Sequence, residues 1–280
     1  MSGSSAEKAM TEISIDAEPR QSRQAARQQA ITEVVMAEGT VRIEQLAERF
    51  GISVMTVHRD LDELESRGLL RKSRGVATAM STSLVESSDV YRSNRETAEK
   101  EALALAALEF IEPGQALMLD DSTTTFHLVP HLRTRRPLTV ITNTLTIMDE
   151  LRSASGITLL GLGGQYFNWC SAFMGGITTA AIGALRADLF IMSAAAITDD
   201  VVFHQSLETN EVKRAMFASS TRRILVVDHT KFQKRALHAL MPLTAFDTVI
   251  VDNATDRREV SRLRDQGVDV VVTRSPRQAA

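Results

Sequence analysis

Two kinds of hydrophobic spacing divide this chain. Up to about residue 76 the apolar positions recur at helical intervals, and beyond about residue 115 they gather into short continuous runs. In the first region Ile43, Leu46, Ala47 and Phe50 stand at i, i+3, i+4 and i+7, which predicts one apolar face of a short helix. Gly51 supplies a positive-φ corner to end it, and Ser53 is placed to N-cap a second helix. On that second helix Val57, Leu61 and Leu64 form the buried stripe, leaving Met55, Thr56, His58, Arg59 and Asp62 facing outward. Ile31, Val34, Val35 and the following Gly39 mark a third helix upstream. Gly68, Leu69 and Leu70 end the second helix, and Arg71, Lys72, Ser73, Arg74 and Gly75 follow as a basic, turn-forming segment.

The second region reads differently. Ala116–Leu119, Leu138–Thr142, Ile157–Leu162, Leu189–Ser193, Ile224–Val227, Val249–Val251 and Val268–Val272 are short apolar runs. Helical stretches separate most of them: Thr124–Leu132, Thr144–Leu151, Thr178–Leu185, Glu208–Ser219 and Asp256–Gln266, preceded by a helix within Glu96–Phe110. Buried strands alternating with helices predict a mostly parallel sheet covered on both faces. The expected fold class is therefore α/β, an N-terminal winged helix-turn-helix followed by a mostly parallel α/β domain. Residues 1–22 read as a disordered leader, 23–78 as the helix-turn-helix unit, 79–95 as a linker, 96–275 as the α/β domain and 276–280 as a tail. The Ser/Thr-rich composition of Ala77–Asp89 suits the linker.

A helix-turn-helix presents the N-terminal, outward positions of its second helix to base edges in the major groove. The candidates for DNA contact are Ser53, Met55, Thr56, His58 and Arg59, with Arg71, Lys72 and Arg74 on the wing. A plain helical hairpin of a bundle has the same spacing, but it does not call for a basic turn after the second helix. For Asp60, an acid next to the DNA, an ion pair that orients the helix is the better reading. The net charge of −3 gives no whole-chain basic signature, so affinity for DNA has to come from that local cluster. The single Cys170 excludes an internal disulfide framework and a cysteine-based zinc site. No apolar run approaches the roughly 20 residues of a membrane span, and no secretory signal precedes the first helix. A cytoplasmic location is expected.

Open α/β sheets hold ligands at the carboxyl ends of their strands, and five polar stations follow the apolar runs. Asp120-Asp121-Ser122-Thr123-Thr124-Thr125 opens a helix, where hydroxyls and backbone N–H groups favour an anion. A cap needs only one of those hydroxyls. Of the two acids, one is expected to bind sugar hydroxyls or cap the turn. Thr142-Asn143-Thr144 is the second station and Gly161-Leu162-Gly163-Gly164-Gln165 the third, the latter lacking the third glycine and ribose-binding acid of a dinucleotide site. Glu208 to Arg214 and Asp228-His229-Thr230-Lys231 complete the set, with Lys213 and Lys231 as cations for a phosphorylated ligand. The effector candidates are thus Asp120, Ser122, Thr123, Thr124, Asn143, Gly163, Gly164, Lys213, Asp228 and Lys231. His127 and His131 read as surface or packing residues with no acidic partner adjoining, and no metal or cofactor is expected.

Both regions resemble one family. Thr56-Val57-His58-Arg59-Asp60-Leu61 is similar to the recognition helix of the DeoR family of bacterial transcriptional regulators, with His58 where the family usually has Arg. Lys72-Ser73-Arg74-Gly75-Val76 stands where it usually has a His-Gly-Gly wing. The five stations resemble the family's sensor domain, itself similar to ribose-5-phosphate isomerase. Two departures stand out: Asp121-Ser122 replaces Ser-Gly, and Ser193-Ala194-Ala195-Ala196-Ile197 replaces Gly-Ala-Asp-Gly-Ile. The resemblance implies a repressor of a sugar operon that binds double-stranded operator DNA as a homo-oligomer and is released by a phosphorylated sugar. The alternative is a sugar-phosphate isomerase or transferase with an accessory helical domain, and the loss of the acid at Ala195 speaks against it.

Overall fold

The computed structural model describes residues 20–67, 69–79, 92–93 and 95–274. The leader up to residue 19, Gly68, residues 80–91 and 94 of the linker, and residues 275–280 lie outside the described residues.

Helix α1 (Arg20–Glu38) begins three residues inside the segment expected to be leader. It is followed by β1 (Thr40–Arg42), α2 (Ile43–Phe50), α3 (Val54–Ser66), β2 (Leu70–Ser73) and β3 (Val76–Ala79). Gly51 ends α2 at φ 62°, its N–H turned back to the carbonyls of Ala47 and Glu48. Ser53 then caps α3, its hydroxyl accepting from the Thr56 N–H at 3.1 Å. The three strands form an antiparallel sheet in the order β1-β3-β2. Ala77–Ala79, assigned to the linker by composition, belong to the wing, because Ala77 is buried in the small core. Ile31, Val35, Ile43, Leu46, Val57, Leu61, Leu64, Leu69 and Leu70 fill that core. The turn between β2 and β3 is Arg74-Gly75, both at positive φ (45° and 80°), the torsions a two-residue hairpin requires.

The α/β domain runs α4 (Thr97–Leu108), β4 (Ala116–Leu119), α5 (Thr123–Phe126), β5 (Leu138–Thr142), α6 (Leu145–Leu151) and β6 (Ile157–Gly161). Then come β7 (Gln165–Phe167), β8 (Ala172–Met174), α7 (Gly176–Gly183), β9 (Ala187–Met192), β10 (Ala196–Thr198) and β11 (Val201–His204). The chain continues through α8 (Leu207–Ala218), β12 (Ser220–Val227), β13 (His238–Pro242), β14 (Thr248–Val251), α9 (Arg257–Asp265) and β15 (Val270–Val272). Seven strands make one sheet in the order β15-β14-β12-β9-β4-β5-β6, and every pairing in it is parallel.

The continuous apolar runs reflect burial on both faces. Leu117, Leu119, Leu189, Ile191, Ile224, Val226 and Ile250 point into the core under α4, which contributes Leu103, Ala104 and Ala107. Their chain neighbours Met118, Phe190, Met192, Leu225, Val227, Val249 and Val251 fill the core on the opposite face with Val212 and Met216 of α8. The helix expected over Thr124–Leu132 is a single α turn followed by a 310 segment at Val129–Arg135, where Pro130 enters. Strands β7, β8, β10, β11 and β13 form two small antiparallel sheets that the apolar pattern does not announce.

Candidate functional site

On α3, Met55 and Arg59 are exposed, and Thr56 and His58 are half-buried on the same N-terminal turns. Ser53 serves as the cap. Arg71 and Arg74 are exposed on the wing. The Lys72 ammonium lies on the Asp62 carboxylate, so its charge is already partnered within the domain. Asp60 points inward. It is buried and receives the Arg27 guanidinium from α1 through Nε at 2.6 Å and Nη2 at 3.1 Å, with Gln28 Nε2 at 3.3 Å. This inter-helical pair orients the recognition helix, as its position in the sequence suggests.

The carboxyl ends of β9, β4 and β5 bring together residues far apart in the chain. Asp120 follows β4, and its Oδ1 accepts from the Ser122 N–H at 3.1 Å and the Thr125 hydroxyl at 2.8 Å. Its Oδ2 accepts from the Ser193 N–H at 2.9 Å, at the end of β9, and from the Lys213 ammonium of α8. Lys213 Nζ is also 3.3 Å from Asp121 Oδ1 and 3.3 Å from the Ser193 carbonyl. Burial pulls Lys213 toward its neutral form, but the carboxylates of Asp120 and Asp121 outweigh it and hold its pKa above the ordinary lysine value. Lys213 is thus not a spare cation; a separation of 93 positions hides its partner Asp120 from a reading of the sequence. The hydroxyls of Ser122 and Thr125 are spent on the α5 cap and on Asp120, and α5 is a single turn. Thr123 is half-buried and Thr124 buried beside them. Asn143, after β5, donates through Nδ2 to the Phe173 carbonyl at 2.9 Å. Gly163 and Gly164 sit where α7 packs closely: the Gly163 carbonyl accepts from Thr178 Oγ1 at 2.8 Å. A Cβ on Gly164 would lie 2.1 Å from Thr178 Oγ1.

One strand over, at the end of β12, the charge is predominantly positive. Lys231, Lys234, Lys100, Arg92 and Arg95 line a cavity of about 60 Å³ with Thr230, Asp228 and Glu96. Asp228 caps the turn that carries Lys231, accepting from the Thr230 N–H at 3.0 Å, and lies 3.6 Å from Lys231 Nζ. Burial would raise the Asp228 pKa, but Lys231, the hydrogen bonds from Thr230, and Lys234 together outweigh it and hold the carboxyl below the usual range. Lys100 is buried, its ammonium donating to the Arg92 carbonyl. Burial, with the like charges of Lys231 and Arg92, brings Lys100 down to about 7. Burial lowers Lys231 to about 8 against the pull of Asp228. Lys100 was missed in the sequence, although a signal existed: it heads the buried stripe Lys100, Leu103, Ala104 and Ala107 of α4, where a lysine has no packing reason to be. Arg92, Arg95 and Lys234 carried no such signal. His204 lies between the two clusters, wholly buried and held well below its ordinary pKa by burial and by the charges of Lys213 and Arg92. His127 and His131 do have an acidic partner, Glu101 of α4, at 3.3 and 2.7 Å. Among the described residues no group of three or more His, Cys, Asp or Glu could hold a metal.

Comparison with known proteins accounts for both halves. Residues 27–83 match the model of the DeoR-like helix-turn-helix domain, and residues 95–253 that of the DeoR C-terminal sensor domain. The chain belongs to the DeoR family. Its relatives include the transcriptional repressor AccR of Agrobacterium fabrum, 33% identical over 82% of this chain and 90% of that protein. The lactose phosphotransferase system repressor of Lactococcus lactis is 30% identical over 81% of this chain and 90% of its own length. Among solved structures, ribose 5-phosphate isomerase A of Methanocaldococcus jannaschii matches with a TM-score of 0.35 and 13% identity, covering 48% of this chain and 53% of that one. This DeoR-family chain is a DNA-binding transcription regulator and not an enzyme: its family and relatives are repressors. None of its described helices is long and apolar enough to cross a membrane.

Proposed function

We propose that this DeoR-family regulator is a cytoplasmic repressor of a carbohydrate-utilisation operon, released from its operator by a phosphorylated sugar. The observation that carries the reading is the cavity at the end of β12, where Lys100 and Lys231 are buried beside Lys234, Arg92 and Arg95 against two carboxylates. Buried like charges are costly, and a phosphate dianion placed among them removes that cost. The neighbouring polar strand ends supply hydroxyl-binding groups. An effector that binds the low-affinity form better shifts the population off DNA. The exposed face of α3 and the wing arginines read the operator, and a pair of chains reads its two half-sites. The name of the Lactococcus relative, a repressor of a sugar phosphotransferase system, supports a phosphosugar in this role.

The test is operator release in a mobility-shift titration with a panel of hexose and pentose phosphates. At least one should dissociate the complex, and Lys231→Ala should abolish that response while leaving operator affinity intact. Release by the unphosphorylated sugar alone would sink the reading.

A further inference from the structure

Beyond the basic cavity, the strand ends carry a second and different demand. Asp121 Oδ2, Asn143 Oδ1 and Ser193 Oγ are sealed from solvent and have no hydrogen-bond partner among the described residues. They follow β4, β5 and β9, three neighbouring strands of one sheet. The Ser193 carbonyl and Asp121 Oδ1 both lie 3.3 Å from Lys213 Nζ, and the Thr144 hydroxyl beside Asn143 donates to the Asp120 carbonyl at 3.3 Å, so one polar network joins the three residues.

The chemistry of these atoms is one-sided. A carboxylate oxygen and an amide oxygen only accept, and a hydroxyl does either, so the missing group is a donor with several N–H or O–H bonds. The charge is one-sided too. Two carboxyl groups, Asp120 and Asp121, face the single Lys213 ammonium. Asp120 has every lone pair engaged by Ser122, Thr125, Ser193 and Lys213, whereas Asp121 shares only Oδ1. His204 accepts the Ser206 N–H at 3.1 Å through Nδ1, and burial with the charges of Lys213 and Arg92 holds it neutral, so it supplies no compensating charge. An uncompensated buried carboxylate is strongly unfavourable until a cation meets it.

We propose that the polar end of the effector site takes a primary ammonium group, held by Asp121, Asn143 and Ser193, so that the effector class is an amino-sugar phosphate. This rests on the phosphosugar reading above. The spacing agrees with it. From the end of β12, which carries Lys231, to the end of β4, which carries Asp121, is two strand spacings, on the order of 10 Å. An open-chain hexose phosphate covers that span with its phosphate among the lysines.

Calorimetric titration of the full-length protein at pH 7 tests the assignment. The probes are the 6-phosphates of 2-amino-2-deoxyglucose and 2-amino-2-deoxygalactose, their 2-hydroxyl counterparts and their N-acetyl counterparts. One amine should bind at least tenfold tighter than both of its counterparts, and Asp121→Asn should reduce that preference to about twofold. If amine and hydroxyl forms bind equally, a trapped water serves the three oxygens and the proposal is overturned, while the phosphosugar reading stands. If the preference survives in Asp121→Asn, the proposal is also overturned. If no phosphorylated probe binds at all, the proposal falls, and the pentose phosphates of the operator-release titration decide the phosphosugar reading. Should the variant fail to fold, the comparison of the wild-type panel decides alone.

Discussion

At the scale of single residues, neighbours in sequence do opposite work. Arg59 is exposed on the outward face of α3, whereas Asp60 is buried against Arg27. Arg59→Ala should leave urea unfolding unchanged and cost roughly 1–3 kcal/mol of operator binding, measured by fluorescence anisotropy. Arg27→Ala should do the reverse first: it strands a buried carboxylate and should lower unfolding stability by about 3 kcal/mol. An unfolding midpoint identical to wild type for Arg27→Ala would remove the pair from the account of helix orientation. Residues of this kind were partly legible. Asp60 advertised an inward role because an acid is unwelcome beside phosphates. Lys213 advertised a cation but not its partners, since a lysine between two carboxylates and a lysine in water are written alike, and the strand that delivers Asp120 and Asp121 lies far upstream.

Among elements, the basic cavity depends on α4 and the turn after β12 meeting. Lys100 and Lys231, at about 7 and about 8, both titrate below the ordinary lysine value. Their charge therefore opposes folding below about pH 7, and that opposition fades as pH rises toward the unfolded value near 10.4. Phosphate binding has the opposite sign, because it needs the ammonium forms. Affinity for a phosphosugar should be highest between about pH 6, where the phosphate becomes a dianion, and pH 7. It should fall by tenfold or more by pH 9, and a flat calorimetric profile over that range would contradict the assignment of both lysines. Gly164, at φ 152° and against Thr178, makes a separate prediction: Gly164→Ala should lower the melting temperature by several degrees, as seen by calorimetry. The seven long-sheet strands were readable because burial on both faces writes an unbroken apolar run. Strands β7, β8, β10, β11 and β13 were not, being three to five residues long with no sustained alternation.

At the scale of the whole molecule, the DNA-reading unit is small and presents one recognition helix, so a dimer or higher even assembly is expected. Light scattering should give at least twice the 30.8 kDa chain mass. Footprinting should show half-sites one helical turn, about 10–10.5 base pairs, or a multiple of it apart. A monomeric mass with full operator affinity would refute this. The order of the large sheet also bears on how the chain is made. Strand β4 is central, yet its neighbour β9 begins at Ala187, 68 residues after β4 ends at Leu119 (187 − 119). A ribosome covers that stretch in roughly 3–14 s. Through that interval β4, joined by β5 and then β6 as they are made, keeps Leu117, Met118 and Leu119 as an unpaired edge, the kind of edge that seeds aggregation. Messages truncated between β6 and β9 should accordingly yield insoluble or chaperone-bound product, and pauses in translation there should be more harmful than pauses after β12.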